Sequence, residues 1–550
     1  MWFRTGAFQT PLPANGTPRK LQPLTPVKFP RFAPRTEDDH SSLSQPLVAL
    51  LQTIHRPGDI HLSHFEALRL HVISDATAQD ILPDASSLPP FGKWAAIGPE
   101  ELEKATRESS VSLNNGNLSP SLHTYQERRK ELSIDNTAAF RTIRRIPPPP
   151  GESSIRLGNA YEFFKNLELL SGYWHDTSLP DQPSPGSESS ASTDSEASKD
   201  NQQGQNSTPT PVHLQTHYRT GTGSQLPPEF RQHLLTAFIK LVAYDFGCNT
   251  SFPRCEPRLF LNATSLLPSN PPSYFNSSVS FINRTPVDRS SARSGMQEGP
   301  VAAVSCRVST VFATEPEERL DLAREVVAVL LTAQQRAREG KAEKRFGEEQ
   351  WWTTKPRWGG GPGGPIGKEG DRLDESTGDL GLGSVGSEKL VVGGPPGGIN
   401  DMKKMIGGIN GPSPSKRTKK GPTKEGNLQI YENYRKMLPP SSTWDRRAKY
   451  CAIGRVNGAG YDDIFLVSAL NHHVSIVRAR VPDKLLQALE GEQVDDWGRL
   501  VMWRSKWFDL FLAADRIEGM ELIWGMMAWL MRAQDASGKR TDGGDKMDTS

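Results

Sequence analysis

The residues whose chemistry could matter are few and scattered. His213 and His217 stand four apart, the spacing of two metal ligands on one helical face. They follow a Pro-Thr-Pro run in a stretch without helical pattern, so they read as surface histidines. His472 and His473 are adjacent inside an apolar run that reads as strand. Neighbours on a strand point to opposite faces, which would keep the two rings out of one site. In "GGGPGGPIGKEG", Gly367-Lys368 is followed by Glu369 rather than Ser or Thr, so the phosphate-cradling loop pattern fails. "RTGTGSQ" holds only Gly-x-Gly. The four cysteines, Cys248, Cys255, Cys306 and Cys451, lack zinc-site spacing, and no G-x-S-x-G occurs. No cofactor and no metal is expected. A catalytic site, if the chain has one, would be assembled from distant residues of 227–338 and 427–534, with Tyr244, Asp245, Cys248 and His473 the first to inspect.

The linear motifs say more. Thr17-Pro-Arg-Lys, Thr25-Pro-Val-Lys and Ser413-Pro-Ser-Lys each fit S/T-P-x-K/R, the pattern read by proline-directed kinases. A phosphate there adds about −1.5 to −2 charge to a cationic segment. "KRTKK" supplies Lys416, Arg417, Lys419 and Lys420 in the form of a nuclear import signal, beside one of those sites. The bland reading is a solvated basic cluster or a nonspecific polyanion contact. Together the motifs are those of a eukaryotic phosphoprotein of nucleus and/or cytoplasm.

The elements that must position these residues are interrupted by low-complexity chain. Hydrophobic residues make up 35% of the 550, below a typical globular share, and the net charge of +2 gives no global signal for nucleic acid or membrane. Residues 1–42 read as a disordered basic, Pro-rich arm; positions 1–36 hold seven prolines, six Lys/Arg and no acid. Such an arm resembles a mitochondrial presequence in charge, leaving the mitochondrial matrix as a minor alternative, but the prolines deny the amphipathic helix. Its Trp2, Phe3, Phe8, Phe29 and Phe32 could dock on a surface, the chain's own or a partner's. The first thirty residues contain no apolar secretory core, so reduced thiols and an intracellular setting are expected.

Helical pieces are expected over 43–100, with Ser63 and Glu66 as a capping box, and a charged, Pro-rich linker over 101–154. A helix capped by Asn159 and Glu162 joins the main body within 155–179. A Ser-rich disordered insertion covers 180–211. An α+β block spans 212–350: a helix over 227–246, strands at 258–266 and 301–314, and a helix to about 338 opened by Thr314, Pro316 and Glu317. Residues 351–426 read as a disordered Gly-rich basic linker, since 18 of 48 glycines fall between 359 and 411. The C-terminal α+β block is 427–534, with a hairpin expected at Asn457-Gly458 and Asp495-Asp496 preceding a helix; 535–550 is a disordered tail.

"IWGMMAWLMR" (523–532) is too short to cross a membrane and is bracketed by charge. Trp524, Met527, Trp529 and Met531 therefore belong to a helix buried on several sides or, less favoured, to an exposed partner-binding face. The fold class expected is α+β, helices packed on a small, largely antiparallel sheet interrupted by long disordered insertions. The function expected is a non-enzymatic intracellular regulatory or adaptor protein that binds partner proteins under proline-directed phosphorylation, with no membrane span. The alternatives are an enzyme with a scattered site and, more weakly, a nucleic-acid-associated protein using its basic segments.

Overall fold

The structure is a computed structural model that describes residues 24–34, 46–179, 221–253, 257–262, 273–341, 445 and 447–533. Eleven strands are described: β1 Leu70–Ile73, β2 Cys248–Ser251, β3 Arg258–Leu261, β4 Ser273–Asn276, β5 Val279–Arg284, β6 Gln297–Arg307, β7 Ala448–Tyr450, β8 Tyr461–Leu470, β9 His473–Pro482, β10 Leu500–Arg504 and β11 Phe508–Asp509. Nine of them form one sheet in the order β1-β10-β9-β8-β6-β5-β2, with β11 added to β9 and β7 to β6. β3 and β4 make a separate two-stranded ribbon. The fold is α+β, but the sheet is large and mixed rather than small. β1 runs parallel to β10, and β6 runs parallel to both β7 and β8, while the other pairs are antiparallel.

The central strands are apolar on both sides because helices cover both faces. Phe465, Val467 and Ala469 of β8 pack with the helices at 122–132, 136–143, 161–171, 228–243 and 513–531. Ile464 and Leu466 pack with those at 47–51, 62–67, 315–336 and 483–489. Chain on both sides of 342–443 thus builds one sheet, since β6 pairs with β8 from Ala303↔Leu466 to Arg307↔Leu470.

Local signals explain the long helices. Glu315–Arg336 starts with the Thr314–Glu317 capping box, Pro316 in its first turn and three acids there. Ala513–Met531 is apolar nearly all round and correspondingly buried: Trp524 is 1% exposed, with Trp94, Tyr125 and Phe246 rings edge-on to it. Trp524, Met527, Trp529 and Met531 are core residues, not an exposed face. No helix among the described residues is long and apolar enough to cross a membrane.

Several local expectations are corrected. Residues 101–154, read as a linker, carry helices Leu102–Ser109, Leu122–Leu132 and Asn136–Ile143, whose Leu122, Tyr125, Leu132 and Phe140 are buried; tertiary packing overrides a weak local pattern. The 62–67 helix is capped by His61 and His64 rather than Ser63 and Glu66, and "LHVI" leaves it to form edge strand β1. Asn159 does not cap the next helix but donates to Glu131 at 3.1 Å. Asn457-Gly458 sits in a loop, because β7 pairs with β6 instead of β8. Asp495-Asp496 precedes strand β10, not a helix, and Asp496 pairs with Arg69.

Candidate functional site

The run "YDDIFLVSALNHHVSIVRARV", read as one strand, folds back on itself after Leu470. Asn471 turns the chain with φ +57, a left-handed conformation that Asn tolerates better than most residues. Its side chain is fixed from both ends: Arg231 Nε donates to Asn471 Oδ1 at 2.8 Å, and Asn471 Nδ2 donates to the Ser309 carbonyl at 3.1 Å. The alternation argument that separated His472 from His473 therefore fails. His472 lies in the turn and His473 opens β9, and their ring centroids are 4.1 Å apart. β11 pairs with β9 and sets Asp509 opposite His473. His473 Nε2 is 3.5 Å from Asp509 Oδ2, and His472 Nε2 is 3.9 Å from Asp509 Oδ1.

This cluster is closed off from water. His472 is 2% exposed, His473 7% and Asp509 7%. Trp174 and Phe511 each lie 5.0 Å from the His472 ring. Thr177 Oγ1 donates to Asp509 Oδ2 at 2.6 Å, and the Phe511 amide donates to Oδ1 at 2.9 Å. Burial, followed by the neighbouring His473, pushes the His472 pKa well below its ordinary value, so its ring is neutral. Burial would raise the Asp509 carboxyl, but His473 and the Thr177 hydroxyl outweigh it and hold it well below the usual carboxylate range. These three side chains are the group among the described residues whose donor atoms gather as metal ligands do.

The arm lies over this place. Residues 24–34 form no helix or strand and lie against the body. Thr25 Oγ1 accepts from the Gly223 amide at 2.7 Å. Gly223 must be glycine, because a Cβ there would stand 2.4 Å from the Trp174 ring. Phe29 stacks on Trp507 at 5.2 Å and meets His473 edge-on at 4.9 Å. The Arg31 amide donates to Glu318 at 3.1 Å. Phe32 packs on Phe65 at 5.6 Å, and the Pro34 carbonyl accepts from Val72 of β1 at 3.0 Å. Val27 touches one apolar core and Phe32 the other, so the arm passes from one face of the sheet to the other.

Beneath Trp507 is a buried ion cluster. Arg307 lies 5.9 Å from the Trp507 ring and pairs with Asp321 at 2.5 Å and Glu325 at 3.0 Å. Arg504 also pairs with Glu325, and Ser468 Oγ donates to it at 2.6 Å. Burial would raise the Glu325 carboxyl, but Arg504 and Arg307 together hold it low. A cleft of about 1180 Å³ opens nearby, with Leu51, Phe65, Phe275, Cys306, Val327 and Leu330 among its lining residues.

The residues first named for a scattered catalytic site are each engaged elsewhere. Tyr244 is exposed beside Lys240, and Asp245 pairs with Arg128 at 3.1 Å. Burial pushes the Cys248 thiol up to about 12 and the Cys306 thiol to about 11, which makes both poor nucleophiles. His473 faces Asp509 instead. Of the motif residues, Thr25 is seated as above, while Thr17, Ser413, Lys416, Arg417, Lys419, Lys420, His213 and His217 lie outside the described residues. Asp509, Thr177 and Trp507 were missed, and no local signal marks them, since only strand pairing and ring contacts bring them together. Comparison with known proteins found no matching family, no matching curated protein and no matching solved structure.

Proposed function

We propose that this chain is a non-enzymatic regulatory or adaptor protein whose N-terminal arm occupies its own partner-binding groove until a proline-directed kinase modifies Thr25. The observation that carries the reading is the seating of the arm: the hydroxyl of a Thr-Pro-x-Lys site lies 2.7 Å from the Gly223 amide. Four residues on, Phe29 is stacked on Trp507. Extended, proline-flanked segments are the usual guests of aromatic grooves, because their backbone has little entropy left to lose on binding. A kinase cleft needs the same stretch undocked. Once added, a phosphate at a half-buried hydroxyl brings bulk and charge into a contact sized for neither. The modified arm is then released, and a protein partner carrying an extended segment with an aromatic residue takes its place over Trp507.

The test uses the full-length protein, phosphorylated to completion at Thr25, with Thr17 and Ser413 changed to Ala. Amide exchange at Gly223 and Val72, the two donors to the arm, is expected to accelerate at least tenfold on phosphorylation. Unchanged protection at both amides would remove the regulatory reading.

The cleft near Cys306 favours a second reading, an enzyme acting on a small molecule, over any nucleic-acid role. Mass spectrometry of the gently purified protein separates the two, since a stoichiometric copurified metabolite belongs only to the enzyme.

A further inference from the structure

We infer that His472, His473 and Asp509 form a binding site for a divalent transition-metal ion of the zinc class. The ligand atoms are gathered before any ion arrives, all within 4.8 Å of one another. Around a tetrahedral ion with bonds of about 2.0–2.1 Å, neighbouring ligand atoms stand roughly 3.3 Å apart. Here His473 Nε2 stands 3.5 Å from Asp509 Oδ2 and His472 Nε2 3.9 Å from Oδ1, so the three side chains must draw in by about half an ångström or more around an ion.

A purely structural cluster explains the arrangement less well. Among the described residues neither ring nitrogen of His472 has a hydrogen-bond partner, nor does Nδ1 of His473, although both residues are buried. A buried polar atom without a partner destabilises the fold. An ion held by the two Nε2 atoms that face Asp509 would give His472 Nε2 the partner it lacks. The carboxylate is already aimed, because Thr177 and the Phe511 amide hold one oxygen each, the support that metal-binding side chains ordinarily receive.

Asp509 supplies the negative charge an ion here needs, and the two neighbouring guanidiniums are held by other partners. Arg231 is engaged by Asn471 and the Leu226 and Gly223 carbonyls, and Arg516 by Asn136 and the Leu132 and Ile134 carbonyls. Two imidazoles and one carboxylate suit zinc, cobalt or nickel rather than the hard oxygen-seeking ions. No fourth His, Cys, Asp or Glu among the described residues joins the group. The fourth position is left to water or an incoming side chain. This inference stands on the hairpin geometry and does not depend on regulation through Thr25.

The test titrates the chelator-treated full-length protein with Co²⁺ alone and then competes it with Zn²⁺. One Co²⁺ per chain is expected, with the intense visible bands of a four-coordinate ion and no thiolate-to-cobalt charge transfer. Asp509→Asn and His472→Phe are each expected to weaken binding at least tenfold. His472→Phe keeps an aromatic ring against Trp174 and Phe511, so it retains the fold even where other variants do not. Absence of stoichiometric binding in the wild-type protein, a thiolate band, or spectra and affinity unchanged in His472→Phe would overturn the assignment.

Discussion

Replacing Phe29 by Ala isolates what holds the arm in place. The ring is half-buried, stacked on Trp507 at 5.2 Å and edge-on to His473 at 4.9 Å. Burying a whole Phe side chain contributes about 1.5–3 kcal/mol, so half of one contributes roughly 1 kcal/mol. An aromatic pair adds about 0.5–1.5 kcal/mol beyond area. The sum is roughly 2 kcal/mol, which raises the undocked fraction about thirtyfold. The rest of the arm, held by Thr25, Arg31 and Pro34, keeps the docked form in the majority. Local opening of this kind is read by native-state amide exchange. Gly223 and Val72 donate to opposite ends of the arm, so both should exchange about thirtyfold faster, while amides in β8 stay unchanged. Lys28→Ala, at an exposed position, should move neither by more than a few-fold. If Phe29→Ala leaves Gly223 and Val72 as protected as before, Trp507 is not the arm's anchor. If only one amide responds, the arm does not dock as a unit.

Three further outcomes follow from the interior. Glu325→Ala strands Arg504 in a dry place, leaves Arg307 to Asp321 alone, and should cost about 3–5 kcal/mol in denaturant unfolding; a loss under 1 kcal/mol would mean water reaches the cluster. Trp524→Ala should destabilise by about 3–5 kcal/mol without changing partner capture, whereas a mild loss with abolished capture would make the 513–531 helix a binding face after all. Burial would raise the Glu298 carboxyl, but Arg284 first and Lys449 second win and hold its pKa below the ordinary value. A depressed carboxyl stabilises the fold above its unfolded pKa of about 4.3, and the gain disappears as pH falls through the folded value. Glu298→Gln should therefore lower Tm at pH 7, with the gap to the wild type narrowing as pH falls below the unfolded value; an offset that stays constant with pH would assign the effect to packing.

What could be read from residues alone was local. Thr314, Pro316 and Glu317 announce the 315–336 helix because capping is decided within one turn. The 513–531 helix is legible, and so is its burial, because ten apolar residues in a row have no other use in water. The β8–β9 turn was hidden for the opposite reason. Strands covered on both faces show no alternation to mark their ends, and Asn471-His472 carries neither Gly nor Pro. That single missed turn also concealed the histidine pair, since reading one continuous strand sends the two rings apart. Asp509 joins them only through β11 pairing, which no local pattern encodes. Thr25 was legible as a kinase motif, whereas its seat against Gly223 depends on chain almost two hundred residues away.

The sharpest probe of the arm's seat is a photo-crosslink. With p-benzoylphenylalanine in place of Phe29 in the full-length protein, irradiation should join the arm to the peptide containing Trp507 or His473 of the same chain, and phosphorylation at Thr25 should abolish the adduct. Crosslinks scattered over the surface, or an adduct on Trp507 that persists after phosphorylation, would contradict a groove held shut by its own arm.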